Sequence, residues 1–504
     1  MKNNRLLALF LAPACLIGLV GCNYPETKEV IPDTPIVIGD EPALESSEEY
    51  KTFWDTDTDL KISITMSQAA ADFINNYQYD HDDSTYFDYY VPCNFHLVMK
   101  GDVYDFEDAG IRQKGNMSRR HMLVGGNLSL DSLVHYKITF KETFDGDEYT
   151  NIPELQQFKK TWEDSNARKE RKNRTLFDME KIDIKWNRNN DATRAKQSYA
   201  LRIFRGNGVL AGNDTLAETT IGIEGKEPIT TTYEYLECID SVFIKRHFDL
   251  EKADGDLYKC CYTNRGQANM KNNISIGNQV GVEDNTTNYH PVYDLKTNKK
   301  KNTTHTNLFN LFSVINNDSL SATAWKAAIE EVMDMKSFMM YESIAFLMGN
   351  FDDLRNNGNN YYLYFASTTN MCYVIPYDFD RCLGAGCEGR KDYMTDFSAE
   401  STKMQCNSDW QNNSLYWRTV CSNASHSSAA RVEEYRAMYQ KNIEDLLNNK
   451  IICTETFTCY VLSFPLEYRG EYDGAGNDNI SFDEYLTKKI AAIKKNNTSY
   501  KIDV

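Results

Sequence analysis

Residues 349–384 read GNFDDLRNNGNNYYLYFASTTNMCYVIPYDFDRCLG, and the fold turns on this stretch. Asp352 and Asp353 follow what reads as a helix end. An amide-rich loop, Asn356 to Asn360, leads into an aromatic strand, Tyr361 to Phe365. A second strand, Met371 to Ile375, then delivers Asp378 and Asp380. Acids at both ends of a strand–turn–strand unit are the layout of a metal–phosphate site. One carboxylate accepts a proton from an attacking hydroxyl. An amide oxygen and a second carboxylate hold Mg²⁺ against phosphates, and phosphoryl transfer asks for little more than that positioning. Mg²⁺ keeps several of its waters, so Asn360 and Asp378 suffice as a protein share. The same spacing also describes a β-hairpin with a polar tip, where Asn and Gly serve the turn.

Working outward, the chain has 504 residues, room for two or three domains or for one enlarged one. A hydrophobic content of 41% allows a sizeable core, and a net charge of −18 argues against a nucleic-acid or anionic-membrane surface. Lys2 and Arg5 precede an apolar run, Leu6 to Val20, and Leu19-Val20-Gly21-Cys22 reads as a lipobox. Cys22 is then the lipidated N-terminus of an exported bacterial lipoprotein, lying on the outer face of a membrane. No later run approaches the roughly 20 apolar residues of a membrane span. Residues 23–55 carry Pro25, Pro32, Pro35 and Pro42 among acids and read as a flexible tether.

An exported chain can oxidise its cysteines. Cys382, Cys387, Cys406 and Cys421 sit in a loop-rich stretch, where disulfides are favoured over zinc. Strands are expected at Lys61 to Met66, Asn94 to Met99 and Tyr136 to Phe140. A Gly-Asn-x-Ser turn at Gly115 to Ser118 and Lys or Arg beside it can hold phosphate. Asp183 and Lys185 flank apolar positions in a strand-like run. Helices are expected over Thr193 to Gly208, Trp325 to Met348, Ala429 to Asn448 and Ser481 to Lys495. Residues 262–305, rich in Asn and Lys, read as an insertion or flexible loop. The chain has no P-loop sequence and no His-Arg-Asp signature.

Several motifs together resemble the spore coat protein H (CotH) kinase family. They are Asn350-Phe351-Asp352, Asn360-Tyr361-Tyr362-Leu363-Tyr364 and Ile375-Pro376-Tyr377-Asp378-Phe379-Asp380 with Gly384. Weaker matches are Lys114-Gly115-Asn116-Met117-Ser118, Phe204-Arg205-x-x-Gly208-Val209, and Glu237 with Leu257-Tyr258-Lys259. Phe351 and Tyr377 stand where the family often has Trp, and Lys114 where it has Arg. A long insertion before Lys137 departs from the family pattern.

The resemblance implies an α+β, atypical protein-kinase-like fold over 56–500. A sheet-rich N-lobe would span about 56–260 and a helical C-lobe about 306–500, with ATP between them. It implies an exported enzyme transferring phosphate from ATP, with Mg²⁺ or Mn²⁺, to a Ser or Thr hydroxyl of a protein substrate. Asp352 would orient or deprotonate the acceptor. Asn360 and Asp378 would hold the metal, with Asp380 as support or second ligand. Lys259, steadied by Glu237, would neutralise phosphates, and Tyr258 and Tyr373 would stack on adenine. Asp352 and Asn360 are eight apart; the corresponding spacing in ordinary kinases is about five, so the loop must differ in shape. Two rival classes stand beside this one. One is a metal-dependent glycosyltransferase using Asp378-Phe379-Asp380. The other is a non-catalytic surface or coat-assembly protein that keeps the fold.

Overall fold

The computed structural model describes residues 36–79, 88–115, 118–386, 414–420, 429–471, 479–496 and 499–504. Helices and strands are mixed along the chain, as expected for an α+β protein. The first strands are β1 (Leu60–Met66), β2 (Val91–Met99) and β3 (Asp102–Gln113). After a small hairpin of β4 (Leu123–Val124) and β5 (Asn127–Leu128) come β6 (Tyr136–Thr139), β7 (Lys181–Lys185), β8 (Asp214–Ile223) and β9 (Ile229–Glu237). Seven of these close into a barrel in the order β1-β2-β3-β6-β7-β9-β8, with β1 parallel to β8 and every other pair antiparallel. Closure leaves no edge strand to blunt. The period-2 alternation of β1 sends Ile62 and Ile64 inward, to meet Phe95, Leu97, Ile138, Ile182, Ile184 and Tyr235.

A second sheet is built from β10 (Asp256–Cys260), β11 (Val280–Gly281), β12 (Tyr293–Leu295), β13 (Tyr361–Phe365) and β14 (Cys372–Pro376). Its order is β11-β12-β10-β13-β14. Strands β13 and β14 are buried at every position, which is why their sequence is a continuous apolar and aromatic run rather than an alternation. One face, with Tyr258, Leu363 and Val374, joins the core around the helix Met335–Met348. The other, with Tyr364, Tyr373 and Ile375, packs on Phe243 and Phe248.

Several expectations are corrected. The tether does not extend to residue 55: Ile38 N donates to His247 O at 2.8 Å, and the helix Glu48–Trp54 buries Tyr50, Phe53 and Trp54. Aromatics at i, i+3 and i+4 make one apolar face, and that outweighs the acidic composition around them. Residues 262–305 are not a loop alone. They supply β11 and β12 and bury Ala268, Met270, Val292 and Tyr293. The helix expected over 325–348 is two, Ala322–Glu330 and Met335–Met348, because Asp334 caps the second through Ser337 N. Cys382 is a fully buried free thiol whose Sγ reaches Lys196 O, not half of a disulfide. Cys387, Cys406 and Cys421, the lipobox with Cys22, and residues 23–35 of the tether lie outside the described residues. No helix among the described residues is long and apolar enough to cross a membrane.

Candidate functional site

The helix Met335–Met348 stops at Gly349, whose φ of +63° is a left-handed cap open to glycine without cost. Beyond it, Asn350 is fully buried and ties two loops together. Its Oδ1 accepts from Asp352 N at 3.0 Å, and its Nδ2 donates to the Asp378 carbonyl at 3.2 Å. A third tie is Tyr377 N donating to the Asn360 carbonyl at 3.2 Å. Asp352, Asn360 and Asp378 are therefore neighbours, as the spacing predicted. Asn360 and Asp378 both hold positive φ, +56° and +58°. That conformation is uncommon outside glycine, and it clusters at functional sites.

The amide-rich loop serves Asp352. Asn357 Nδ2 and Asn359 Nδ2 donate to its Oδ1 at 2.8 and 3.1 Å. Asn360 Nδ2 bonds its carbonyl at 2.9 Å and reaches its Oδ2 at 3.3 Å. Burial pushes the Asp352 carboxyl up, and the amide bonds only partly offset this. A carboxylate fixed by three amides, with raised proton affinity, is suited to accepting a proton from a hydroxyl. Asn360 spends its Nδ2 on Asp352 and so keeps Oδ1 for a cation.

The facing wall comes from the barrel. In β7, Ile182 and Ile184 point into the barrel, so Asp183 and Lys185 point out of it together. Lys185 Nζ is shared between Asp378 Oδ1 and Asp380 Oδ2, the latter at 2.9 Å, and donates to Gln197 Oε1 at 3.1 Å. Asp183 Oδ2 accepts from Lys114 Nζ at 2.7 Å and from Tyr377 OH at 2.9 Å, and its Oδ1 forms an ion pair with Lys137 Nζ at 3.1 Å. Burial pushes the Asp378 carboxyl up, but Lys185 and Lys114 outweigh it and hold the group well below the usual carboxylate range. Burial likewise acts on Asp183 and is overcome by Lys114 and Lys137. Both acids are thus charged at neutral pH.

The nucleotide contacts expected from the sequence are not brought together. Glu237 lies far from any lysine partnership: it accepts from Tyr50 OH at 2.5 Å and from Asn213 Nδ2 at 2.9 Å. Lys259 Nζ sits over the Tyr377 ring, 5.7 Å from its centroid, at the margin of the cluster. Tyr258 and Tyr373 cannot sandwich a base, because they belong to opposite faces of the second sheet. Tyr258 is buried with its OH on His305 Nδ1 at 2.9 Å, and Tyr373 packs edge-on against Phe248. The register explains this: Tyr258 pairs with Leu363 and Leu363 with Val374, one residue out of step with Tyr373.

Sequence reasoning assigned no role to Asp183 or Lys185 and set Lys137 aside. The signal was present as Ile-Asp-Ile-Lys, a strand with apolar residues on one face and opposite charges on the other. Beside the cluster lies a small open cleft with Lys185 and Asp380 on its wall.

Among the described residues no group of three His, Cys, Asp or Glu forms a ready metal cluster. The donor set is smaller: two carboxylates that already converge on one positive centre, with an amide oxygen adjacent. Hard oxygen donors in that number suit Mg²⁺ or Mn²⁺, which retain waters. The side chains of Asp378 and Asp380 are 32% and 24% exposed, so a cation can reach them.

Comparison with known proteins gives two findings. A family model described as CotH kinase protein matches residues 155–459, more than half of the chain. Among solved structures, the chain is similar to the Helicobacter pylori proinflammatory kinase CtkA, at 12% identity and a TM-score of 0.27. The match covers 62% of this chain and 86% of that one. No curated protein matches.

Proposed function

This chain belongs to the CotH kinase protein family, and from that premise we propose that it transfers the γ-phosphoryl group of ATP to a Ser or Thr hydroxyl of a protein. The observation that carries this is the convergence of Asp378 and Asp380 on the single ammonium of Lys185, with Asp352 one loop away. In this reading the barrel and the helical part act as two lobes on either side of the nucleotide.

Asp378, Asp380 and the Asn360 amide oxygen would hold Mg²⁺ or Mn²⁺. When bound, that ion supplies charge neutralisation between the phosphates. Asp352, steadied by Asn357, Asn359 and Asn360, orients the acceptor hydroxyl and takes its proton. Lys185 gives up the carboxylates and turns its ammonium to phosphate oxygens. Lys114 and Lys137, anchored on Asp183, add positive potential beside it. Because proton affinity at Asp352 is raised by burial, the base is matched to a hydroxyl acceptor better than a solvated aspartate is.

The experiment is incubation of purified residues 36–504 with labelled ATP and Mg²⁺ or Mn²⁺. Label should enter the protein or an added acceptor, and Asp378→Asn should stop it. Equal labelling of wild type and mutant would remove the assignment. One observation favours a second reading, a non-catalytic protein keeping the fold: Lys185 already fills the place between the two carboxylates. Failure of the wild type to bind or turn over ATP selects it. The lipobox at Cys22 further supports lipid anchoring outside the cytoplasm. Cys22→Ala should then move the full chain from the membrane fraction to the soluble one.

A further inference from the structure

Lys185 stands beside a carboxyl group with which it does not pair. In the register of β7 against β9, Lys185 is directly opposite Glu234, and opposite charges so placed on one sheet face attract. Glu234 Oε1 is moreover buried and accepts no hydrogen bond among the described residues. Lys185 Nζ nevertheless donates to Gln197 Oε1 at 3.1 Å, and Gln197 Nε2 donates to Glu234 Oε2 at 2.7 Å. An ammonium carries only donors, so the amide presents its oxygen to Lys185 and its nitrogen to Glu234. All three side chains line the small cleft beside Asp380.

Gln197 is held in place independently of Lys185. It is buried, and it is the second residue of the helix Lys196–Gly206. The start of that helix is pinned twice: Lys196 N donates to Asp191 Oδ2 at 3.0 Å, and Lys196 Nζ donates to the Ile480 carbonyl at 2.8 Å. The amide is thus a wedge, carried by a helix, between two cross-strand partners of the barrel. It offers Lys185 a neutral acceptor, whereas Asp378 and Asp380 offer charged ones. A neutral acceptor holds an ammonium less tightly than a carboxylate does, and so leaves its charge free to meet phosphate.

We propose that Gln197 is a positioning residue for phosphoryl transfer. Oriented by Glu234, it keeps the Lys185 ammonium at the cleft when Asp378 and Asp380 turn to the metal, and it stops Lys185 from closing on Glu234. This rests on the phosphotransfer reading and goes past it, to a residue outside the acidic motif.

The test uses the full chain at about pH 9, above the value of about 8 to which burial pushes the Glu234 carboxyl, so that Glu234 is charged. Gln197→Met keeps the length of the side chain and removes the amide. Lys185 should then close on Glu234, with two opposite consequences. Mn²⁺ binding, measured by calorimetry, should tighten about fivefold, because the ammonium has left the two carboxylates. The kcat for transfer of label from ATP should fall about tenfold, because the ammonium has also left the phosphates. Adding Glu234→Gln to that variant removes the competing charge and should return both quantities to within about twofold of wild type. A merely structural defect weakens metal binding and transfer together, and the second substitution does not rescue it. Unchanged kcat and Mn²⁺ affinity in Gln197→Met, or loss of both without rescue, overturns the positioning role and leaves phosphotransfer standing. A wild type that transfers no label overturns both.

Discussion

Two charged clusters lie on either side of the loop 349–360, and they are composed differently. On the barrel side, Lys114, Lys137 and Lys185 meet Asp183, Asp378 and Asp380, three cations to three anions. On the core side, Glu342 and Asp353 share one cation. Arg355 Nη1 reaches Glu342 Oε2 at 3.4 Å and Tyr439 OH at 3.0 Å, and Tyr416 OH donates to Glu342 Oε1 at 2.9 Å. Burial pushes the carboxyls of Glu342 and Asp353 up to about 7 each. Where cations match anions the acids stay charged, and where they fall short the fold holds protons instead. Adjacent residues thus part company: Asp352 opens on the reacting side, whereas Asp353 is fully buried and caps the short helix Leu354–Asn357 through Asn356 N. The first cluster balances its charges at a partly exposed surface. The second fixes the loop that carries Asp352.

The contrast can be broken by mutation. Asp352→Asn should lower phosphotransfer by about 10²–10⁴-fold while leaving the urea midpoint near that of wild type. A large stability loss instead would mean that Asp352 is structural like its neighbour. Arg355→Met should do the reverse in kind. It removes the cation paired with Glu342 in the dry core and, above about pH 8 where that acid is ionised, should cost about 3–5 kcal/mol in denaturant unfolding. A loss below about 1 kcal/mol would show that the core cluster does not depend on the pair.

The smallest effect concerns pH. Glu342 keeps its proton in the fold to about 7, whereas the unfolded chain releases it near 4.5. Its contribution is complete below the lower value and declines as pH rises through the upper one, by about 3 kcal/mol in all. Urea midpoints should therefore fall between pH 5 and pH 7.5, and Glu342→Gln should flatten part of that fall. A mutant profile parallel to wild type would place the proton elsewhere.

The motif 349–384 was legible because its parts are local. A glycine stops a helix, amides follow, and two strands close within a few residues, so spacing and the family resemblance together placed Asp352, Asn360 and Asp378 at one site. The barrel strands were legible one by one from period-2 patterning, as at β1. The expected pairing of Tyr258 with Tyr373 was not legible because it depends on sheet face. Tyr258 and Tyr373 are aromatic and suitably spaced along the chain, but the register of β10, β13 and β14 puts them on opposite sides.

Amino-acid order by itself determined the kinds of element, the family and the acids at the turn ends, because helix caps, strand alternation and short loops are set by neighbours in the chain. Tertiary structure alone decided which cations answer those acids. Lys185 and Asp378 stand 193 residues apart, and their meeting follows from closure of the barrel and its packing against the second sheet. No local pattern encodes that contact, since it exists only once both surfaces have folded and brought their side chains together.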